Sequence, residues 1–301
     1  MAYPAYPAPG PALHNPKGPT IAPKTPSGEH LIRPDRGSGR VIIVTRLSHG
    51  RRPIVVSDYR SSHLASGGTY DTELASDPFD SYMNRWEARH LRDIIARTFG
   101  AKRVSRCLDF ACGTGRITAV VAPLAHETVG VDVAGGMLDV ARAKVPQATF
   151  VQADLTTEAR PLGTFDLITS FRFLGNAQEE IREAALRSLN ALQPTGGLLI
   201  VNNHRNPNGL ANLVARVRGE REPLELTHDR LRGLLGRCGY VIREARPIGA
   251  WKWRGALLNA AGRQPAREER MERLFRSRVF VPIAPDAVIA AEKIRAADVT
   301  A

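Results

Sequence analysis

Cysteine is scarce in this chain: three in 301 residues, at positions 107, 112 and 238. They show neither zinc-ligand spacing nor an even-numbered framework, which argues against a structural metal site and against a disulfide-stapled scaffold. Reduced thiols in a cytoplasmic protein are the expectation, with no bound metal. No apolar run approaches the roughly 20 residues that span a bilayer, so no membrane segment is expected. The opening stretch MAYPAYPAPGPALHNPKGPTIAPKTPSGEH has no positive region followed by an apolar one, so no secretory signal is expected. Aromatic residues make up only 6% and are not interleaved with the basic ones, so a base-stacking platform is missing. There is no internal repeat.

What is abundant is positive charge, a net +12, and its distribution matters more than its size. Residues 1–68 carry +6, residues 69–210 carry −1, and residues 211–301 carry +7. The middle of the chain is neutral and the excess sits at the two ends. Nucleic acid is therefore a possible partner but not the favoured one.

Proline density makes residues 1–30 a solvated, polyproline-like tail. Residues 31–68 form an N-terminal extension, where Arg40–Asp58 reads as two β-branched runs around a His-Gly turn, a possible hairpin. From residue 69 onward the chain reads as one domain. DPFDSYMNRWEARHLRDIIARTFG has helical periodicity, with Met83, Trp86, His90, Ile94, Ile95 and Phe99 on one side and Gly100 as C-cap. From Arg103 short apolar runs alternate with helices: VSRCLDF, ETVGVDV, ATFVQAD, FDLITSF, GLLIVNN and YVIREARPI as strands. GRITAVVAPLA, GGMLDVARAKV, AQEEIREAALRSLNALQ and HDRLRGLLGRCG are the helices between them, and DAVIAAEKI is a last strand. This alternation predicts an α/β fold, an open doubly wound sheet with helices on both faces. Residues 249–285 form an insert before the last strand.

In such a sheet, ligands bind at the carboxyl ends of the strands. The first strand-to-helix turn, Ala111-Cys112-Gly113-Thr114-Gly115, uses small residues, as close approach of a ligand to the backbone requires. It is not a dinucleotide fingerprint, because Thr118 stands where a third glycine belongs. It has no Gly-Lys-Ser/Thr of a P-loop. Three consecutive strands end in an aspartate. Asp109 is placed to accept from an ammonium group, Asp132 from both hydroxyls of a ribose, and Asp154 from an adenine amino group. The matching ligand has an amine, a ribose, an adenine and no phosphate, and S-adenosyl-L-methionine fits that description.

LDFACGTG, GVDVAGGMLDVAR, FVQADL and FDLITSFRFLGN, in this order and spacing, resemble the motifs of the class I S-adenosylmethionine-dependent methyltransferases, especially the small-molecule branch. Ala111 stands where many members have glycine. The resemblance covers about Tyr70 to Gly239, and the final strand more loosely. It implies a Rossmann-like sheet of seven mostly parallel strands with the last antiparallel. It also implies a cofactor site drawn from Asp109, Ala111, Gly113, Gly115, Asp132, Val133, Met137, Asp154, Leu155 and Phe171. Arg116 lies near the cofactor carboxylate in one reading and pairs with an acid in the other. Tyr70 is expected to cover the cofactor, whereas Tyr82 reads as cover or as ordinary packing.

Methyl transfer is an in-line displacement, for which the enzyme supplies alignment and a shielded site. A base is needed only where an acceptor hydroxyl or amine must lose its proton. His204 in NNHRNP, after the fifth strand, is the candidate catalytic base. Arg172, Asn176 and Asn203, with Asn202 and Asn206, are candidate substrate contacts. Trp251, with Trp253 and Arg254, marks the insert as a substrate cap or, equally, a satellite core. The fourth strand ends in SFRF, without the Asn/Asp-Pro-Pro-Tyr/Phe used on base amines, and no Pro-Cys pair follows it. The acceptor is therefore expected to be an O or N atom of a small molecule. Two other readings remain: a methyltransferase that holds RNA or protein through its basic ends, and a non-catalytic S-adenosylmethionine-binding protein.

Overall fold

The computed structural model describes residues 30–34, 41–45, 78–204, 206–209, 226–251 and 265–297. The chain divides into two units, residues 1–56 and 57–301. The first contains two antiparallel strands, β1 (His30–Pro34) and β2 (Val41–Thr45), registered from His30 opposite Thr45 to Pro34 opposite Val41. Of the hairpin expected within Arg40–Asp58, only the first run is described. VIIVT is a strand, but it pairs with HLIRP, and the run expected as its partner lies outside the described residues.

The second unit opens with α1 (Pro78–Phe99), whose apolar stripe is buried along Met83, Trp86, Leu91, Ile94 and Ile95. Gly100, at φ 63°, ends it in the left-handed conformation that glycine adopts without steric cost. The strands follow as β3 (Val104–Phe110), β4 (Ala125–Asp132), β5 (Thr149–Gln152), β6 (Leu167–Ser170), β7 (Leu198–Asn203), β8 (Tyr240–Ile248) and β9 (Asp286–Lys293). They form one seven-stranded sheet in the order β5-β4-β3-β6-β7-β9-β8. β9 runs antiparallel to both its neighbours, and the pairs among β3 to β7 are parallel. The seven-stranded, mostly parallel architecture expected from the sequence is therefore present.

The helices between the strands are α2 (Thr118–Val121), α3 (Gly135–Lys144), α4 (Glu179–Ala191), α5 (His228–Arg237) and α6 (Pro265–Leu274). α2 is shorter than the sequence pattern predicts. It passes at once into a 3-10 turn, Ala122–Leu124, because Pro123 has no N–H to continue an α-helix.

Strand side chains alternate between two cores, one on each face of the sheet. Leu108, Ile168, Leu199 and Ile289 enter one, shared with Leu186 and Leu189 of α4 and Leu231 and Leu234 of α5. Cys107, Leu167, Ile200 and Val288 enter the other, shared with α1. Each fully buried leucine or isoleucine contributes about 1.5–3 kcal/mol. Burial on both faces explains the apolar runs of the central strands β6 and β7, and it leaves the carboxyl ends of the strands as the place where polar side chains gather.

Candidate functional site

The loop from Ala111 to Gly115 leads from β3 into α2. Ala111, Gly113 and Gly115 all have positive φ, at 55°, 54° and 76°. A Cβ on Gly115 would stand 3.1 Å from Ala141 Cβ of α3, so glycine there serves both the backbone angle and the close approach. A Cβ on Gly113 would meet only Met137 Sδ, at an ordinary 3.6 Å, so its requirement is conformational.

Asp132, at the end of β4, holds the loop in shape. One carboxylate oxygen accepts from the Gly113 N–H at 2.8 Å and the other from the Ala134 N–H at 2.9 Å. Asp132 and Ala111 form the shared wall of two adjoining cavities. The polar one is lined by Asp109, Gly113, Arg116, Met137, Phe171 and Arg172, among others. The apolar one is lined by Phe110, Val133, Leu155, Phe173 and Ile181, with Asp154 at its edge. The Asp154 carboxylate accepts from the Thr156 N–H at 2.9 Å and hydroxyl at 2.5 Å, which fixes its direction.

A polar compartment with two carboxylates and two guanidinium groups, joined through Asp132 to an apolar slot, fits an amino acid linked through a ribose to a purine. Of the residues expected to bind it, the two cavities bring together all but Gly115, which packs against Ala141, and Tyr70, which lies outside the described residues. Asp109 is deeper than expected. It is 1% exposed, and its oxygens accept from the hydroxyls of Thr118 at 2.6 Å and Thr169 at 2.8 Å. Burial pushes its carboxyl up to about 6, opposed by those two hydroxyls.

Arg116 pairs with an acid. Its guanidinium donates to Glu87 of α1 at 2.7 Å while it lines the polar cavity. Glu87 is fully buried and also accepts from Asn202 Nδ2 at 2.7 Å. Asn202 Oδ1 in turn accepts from the Arg172 N–H at 2.5 Å. That bond holds Arg172 at φ 60°, the second non-glycine residue with a positive φ among the described residues. The Arg172 guanidinium meets Asp80 at 3.0 Å and Asn84 at 3.2 Å, so α1 braces both sides of the cavity. Sequence reading passed over Glu87. Its signal is a carboxylate in the middle of an apolar stripe, four residues from Met83 and four from Leu91.

The asparagines expected as substrate contacts are interior. Asn202, Asn203 and Asn206 are 1%, 0% and 0% exposed. Asn203 Nδ2 donates to the Leu226 carbonyl at 2.8 Å, and Asn206 Nδ2 to the carbonyls of Pro282 and Ala284 at 3.0 Å. They tie the carboxyl end of β7 to its neighbours and do not line either cavity, because a strand end packed on both sides must satisfy its polar groups internally. Asn176 donates to the Arg172 carbonyl at 2.7 Å and steadies the same turn. His204 follows β7 with its ring against Gly175, where an added Cβ would stand 2.9 Å from it. It flanks the Arg172–Asn176 turn and lines neither cavity.

Trp251, at the start of the insert, packs edge-on against Tyr82 with ring centroids 6.3 Å apart. Its indole N–H donates to Glu272 of α6 at 3.0 Å, as does the Gly249 N–H at 2.7 Å, and the Tyr82 hydroxyl donates to the same oxygen. Tyr82 is thus core packing, 1% exposed. Arg85–Glu268 and Arg89–Glu269 add two more links between α1 and α6. Trp253 and Arg254 lie outside the described residues. Among those described, no group of three His, Cys, Asp or Glu side chains could hold a metal, and no helix is long and apolar enough to cross a membrane.

Residues 107–197 match the family model for a methyltransferase domain. A ubiquinone/menaquinone biosynthesis C-methyltransferase, UbiE of Shewanella sp. (strain W3-18-1), is 31% identical over 144 residues, covering 45% of this chain and 55% of that protein. The UbiE of Shewanella baltica (strain OS155 / ATCC BAA-1091) is 29% identical over 157 residues, 49% of this chain and 62% of its own. The chain thus spans little more than half the length of these curated relatives. In structure, the magnesium protoporphyrin IX methyltransferase of Synechocystis PCC 6803, solved with bound SAH, matches with a TM-score of 0.55 at 15% identity, over 78% of this chain and 97% of its own. The cyclase SpnF matches with a TM-score of 0.52 at 16% identity, over 78% and 97%, so the fold alone does not specify methyl transfer. The family match covers the glycine loop, Asp132 and the fourth-strand segment, so residues 107–197 carry a methyltransferase domain.

Proposed function

We propose that this chain binds S-adenosylmethionine in the crevice above β3 and β4 and directs methyl transfer to an O or N atom of a small-molecule acceptor. The observation that carries the reading is Asp132, a strand-end carboxylate that shapes the glycine loop and forms the common wall of a polar and an apolar cavity. When bound, S-adenosylmethionine supplies an electrophilic methyl group on a positively charged sulfur. Asp132 holds the ribose hydroxyls, Val133 and Leu155 sandwich the adenine, and Asp154 accepts from its amino group. Asp109 and Asp132 give the polar compartment the negative character that a cationic ligand favours. Arg116, steadied by Glu87, faces the cofactor carboxylate.

His204 is the proposed base for an acceptor that must lose a proton, with Arg172 and Asn176 shaping the acceptor side beside it. Residues 249–285 serve as the acceptor cap. Support comes from α6, whose glutamates clasp the same helix that braces Arg116 and Arg172. The relatives named as C-methyltransferases favour a second reading, methylation of a ring carbon on a quinone-like acceptor.

Calorimetric titration with S-adenosylmethionine and S-adenosylhomocysteine tests the reading, on wild type and on Asp132→Ala. Binding in the wild type that collapses in the variant is expected. Binding of neither ligand to the wild type rejects it. Label transfer to O-, N- and C-nucleophile acceptors then separates the two forms of the proposal.

A further inference from the structure

Among the described residues four large aliphatic side chains stand exposed: Leu274 at 63%, Val279 at 72%, Ile283 at 38% and Ile294 at 47%. Single exposed aliphatics are ordinary, but the first three fall within one short stretch that runs from Leu274, the last residue of α6, to the 3-10 turn before β9. The rings of Phe275 and Phe280 meet there with centroids 4.8 Å apart, which folds the stretch back on itself. Leu274 and Val279 are each the residue before one of those rings, so the ring contact draws their two positions together.

The same stretch is rich in arginines. Arg267, Arg270, Arg273, Arg276 and Arg278 are all exposed. Arg273 pairs with Glu269 at 2.7 Å, Arg278 donates to the Arg243 carbonyl at 3.1 Å, and Arg276 has no acidic partner among the described residues. Beside it opens a groove of about 970 Å³, lined by six guanidinium groups, those of Arg89, Arg97, Arg246, Arg273, Arg276 and Arg278, against the three carboxylates of Asp93, Glu244 and Glu272.

Aliphatic side chains bordered by exposed arginines suit the boundary between lipid headgroups and acyl chains. A single strand of nucleic acid would call for free aromatic faces, and here the two nearby phenylalanines pack on each other. A second copy of this surface would set one arginine rim against another across a two-fold axis. We propose that residues 267–283 form a docking surface for an anionic phospholipid bilayer, with Leu274 and Val279 entering the headgroup boundary and the arginine rim and groove receiving lipid phosphates. The proposal stands independently of the methyl-transfer reading.

The test is co-sedimentation of the full chain with vesicles of equal parts phosphatidylglycerol and phosphatidylcholine, and with phosphatidylcholine alone. The protein is expected to pellet with the anionic vesicles and to remain in solution with the neutral ones. Leu274→Asp combined with Val279→Asp lowers the partition coefficient at least about tenfold although every basic residue is retained, and Arg276→Ala lowers it about fivefold. Unchanged thermal melting shows that the variants are folded; if the Asp pair melts early, Leu274→Ser with Val279→Ser carries the same expectation. Failure to bind anionic vesicles overturns the proposal, as does binding that the double variant retains in full. So does binding of single-stranded RNA, or a dimer that Leu274→Asp dissociates, in the absence of vesicle binding.

Discussion

Arg116, the residue after the glycine loop, and Glu87 of α1 form an ion pair at 2.7 Å, with Glu87 wholly buried. The pair joins the helix that precedes the sheet to the loop that begins the cofactor crevice. Removing one partner of a buried pair leaves an uncompensated charge or an unmet donor, at a cost of about 3–5 kcal/mol. Glu87→Ala is therefore expected to lower the melting temperature and to weaken S-adenosylmethionine binding together, because Arg116 and Asn202 both lose their acceptor. Glu87→Gln, which keeps the shape and one acceptor, loses less of both. Equal melting of wild type and Glu87→Ala overturns the bracing role.

The glycine loop predicts an order of stabilities. Gly113→Ala places a Cβ in the left-handed region without a clash and costs about 1 kcal/mol. Gly115→Ala adds a 3.1 Å approach to Ala141 and costs more. Ala111→Gly relieves the strain of φ 55° and is neutral or slightly stabilising. Chemical denaturation of the three variants checks the order, and a Gly113→Ala less stable than Gly115→Ala contradicts it.

Asp109 gives the fold a pH dependence. Its folded pKa, about 6, lies above the ordinary 3.8, so the folded state holds the proton more tightly than the unfolded chain. The contribution to stability is fully present below about pH 4 and is lost as pH rises to about 6, a change of about 3 kcal/mol. Asp109→Asn keeps the shape without the titration. The difference in melting temperature between wild type and Asp109→Asn should move in the variant's favour across pH 4 to 6.5; parallel curves over that range refute the assignment.

His204→Asn separates chemistry from cofactor binding. As a base, His204 is expected to matter for turnover and not for S-adenosylmethionine affinity. A fall in kcat of about 100-fold or more with an unchanged cofactor Kd supports it. A pH–rate profile whose acidic limb disappears in the variant strengthens the assignment. Turnover unchanged in His204→Asn removes it.

Much of the crevice was legible because strand-end aspartates and a small-residue turn are written locally. The loop residues, Asp132, Asp154 and the apolar slot fall where the alternation of strands and helices puts them. Pro123 could also have been read, and it cut the first crossover helix short. The pairing of VIIVT with HLIRP was not legible for a different reason. VIIVT has two β-rich neighbours within reach, and local propensity does not choose between pairing partners.

Asn202, Asn203 and Asn206 looked like substrate contacts because the sequence places them just after a strand. Only the packing of β7 between β6 and β9 turned them inward to meet carbonyls and a buried carboxylate. Likewise no spacing rule connects Glu87 to Arg116, 29 positions away, or Glu272 to Tyr82, 190 positions away. The sequence by itself determined the strand and helix periods, the turn that a left-handed backbone requires, and the strand-end acids, since each depends on residues within a few positions of one another. The tertiary structure decided which buried charges have partners and which polar side chains face a ligand, because a charge removed from water is stabilised by whatever the fold brings within about 3 Å of it, at any distance along the chain.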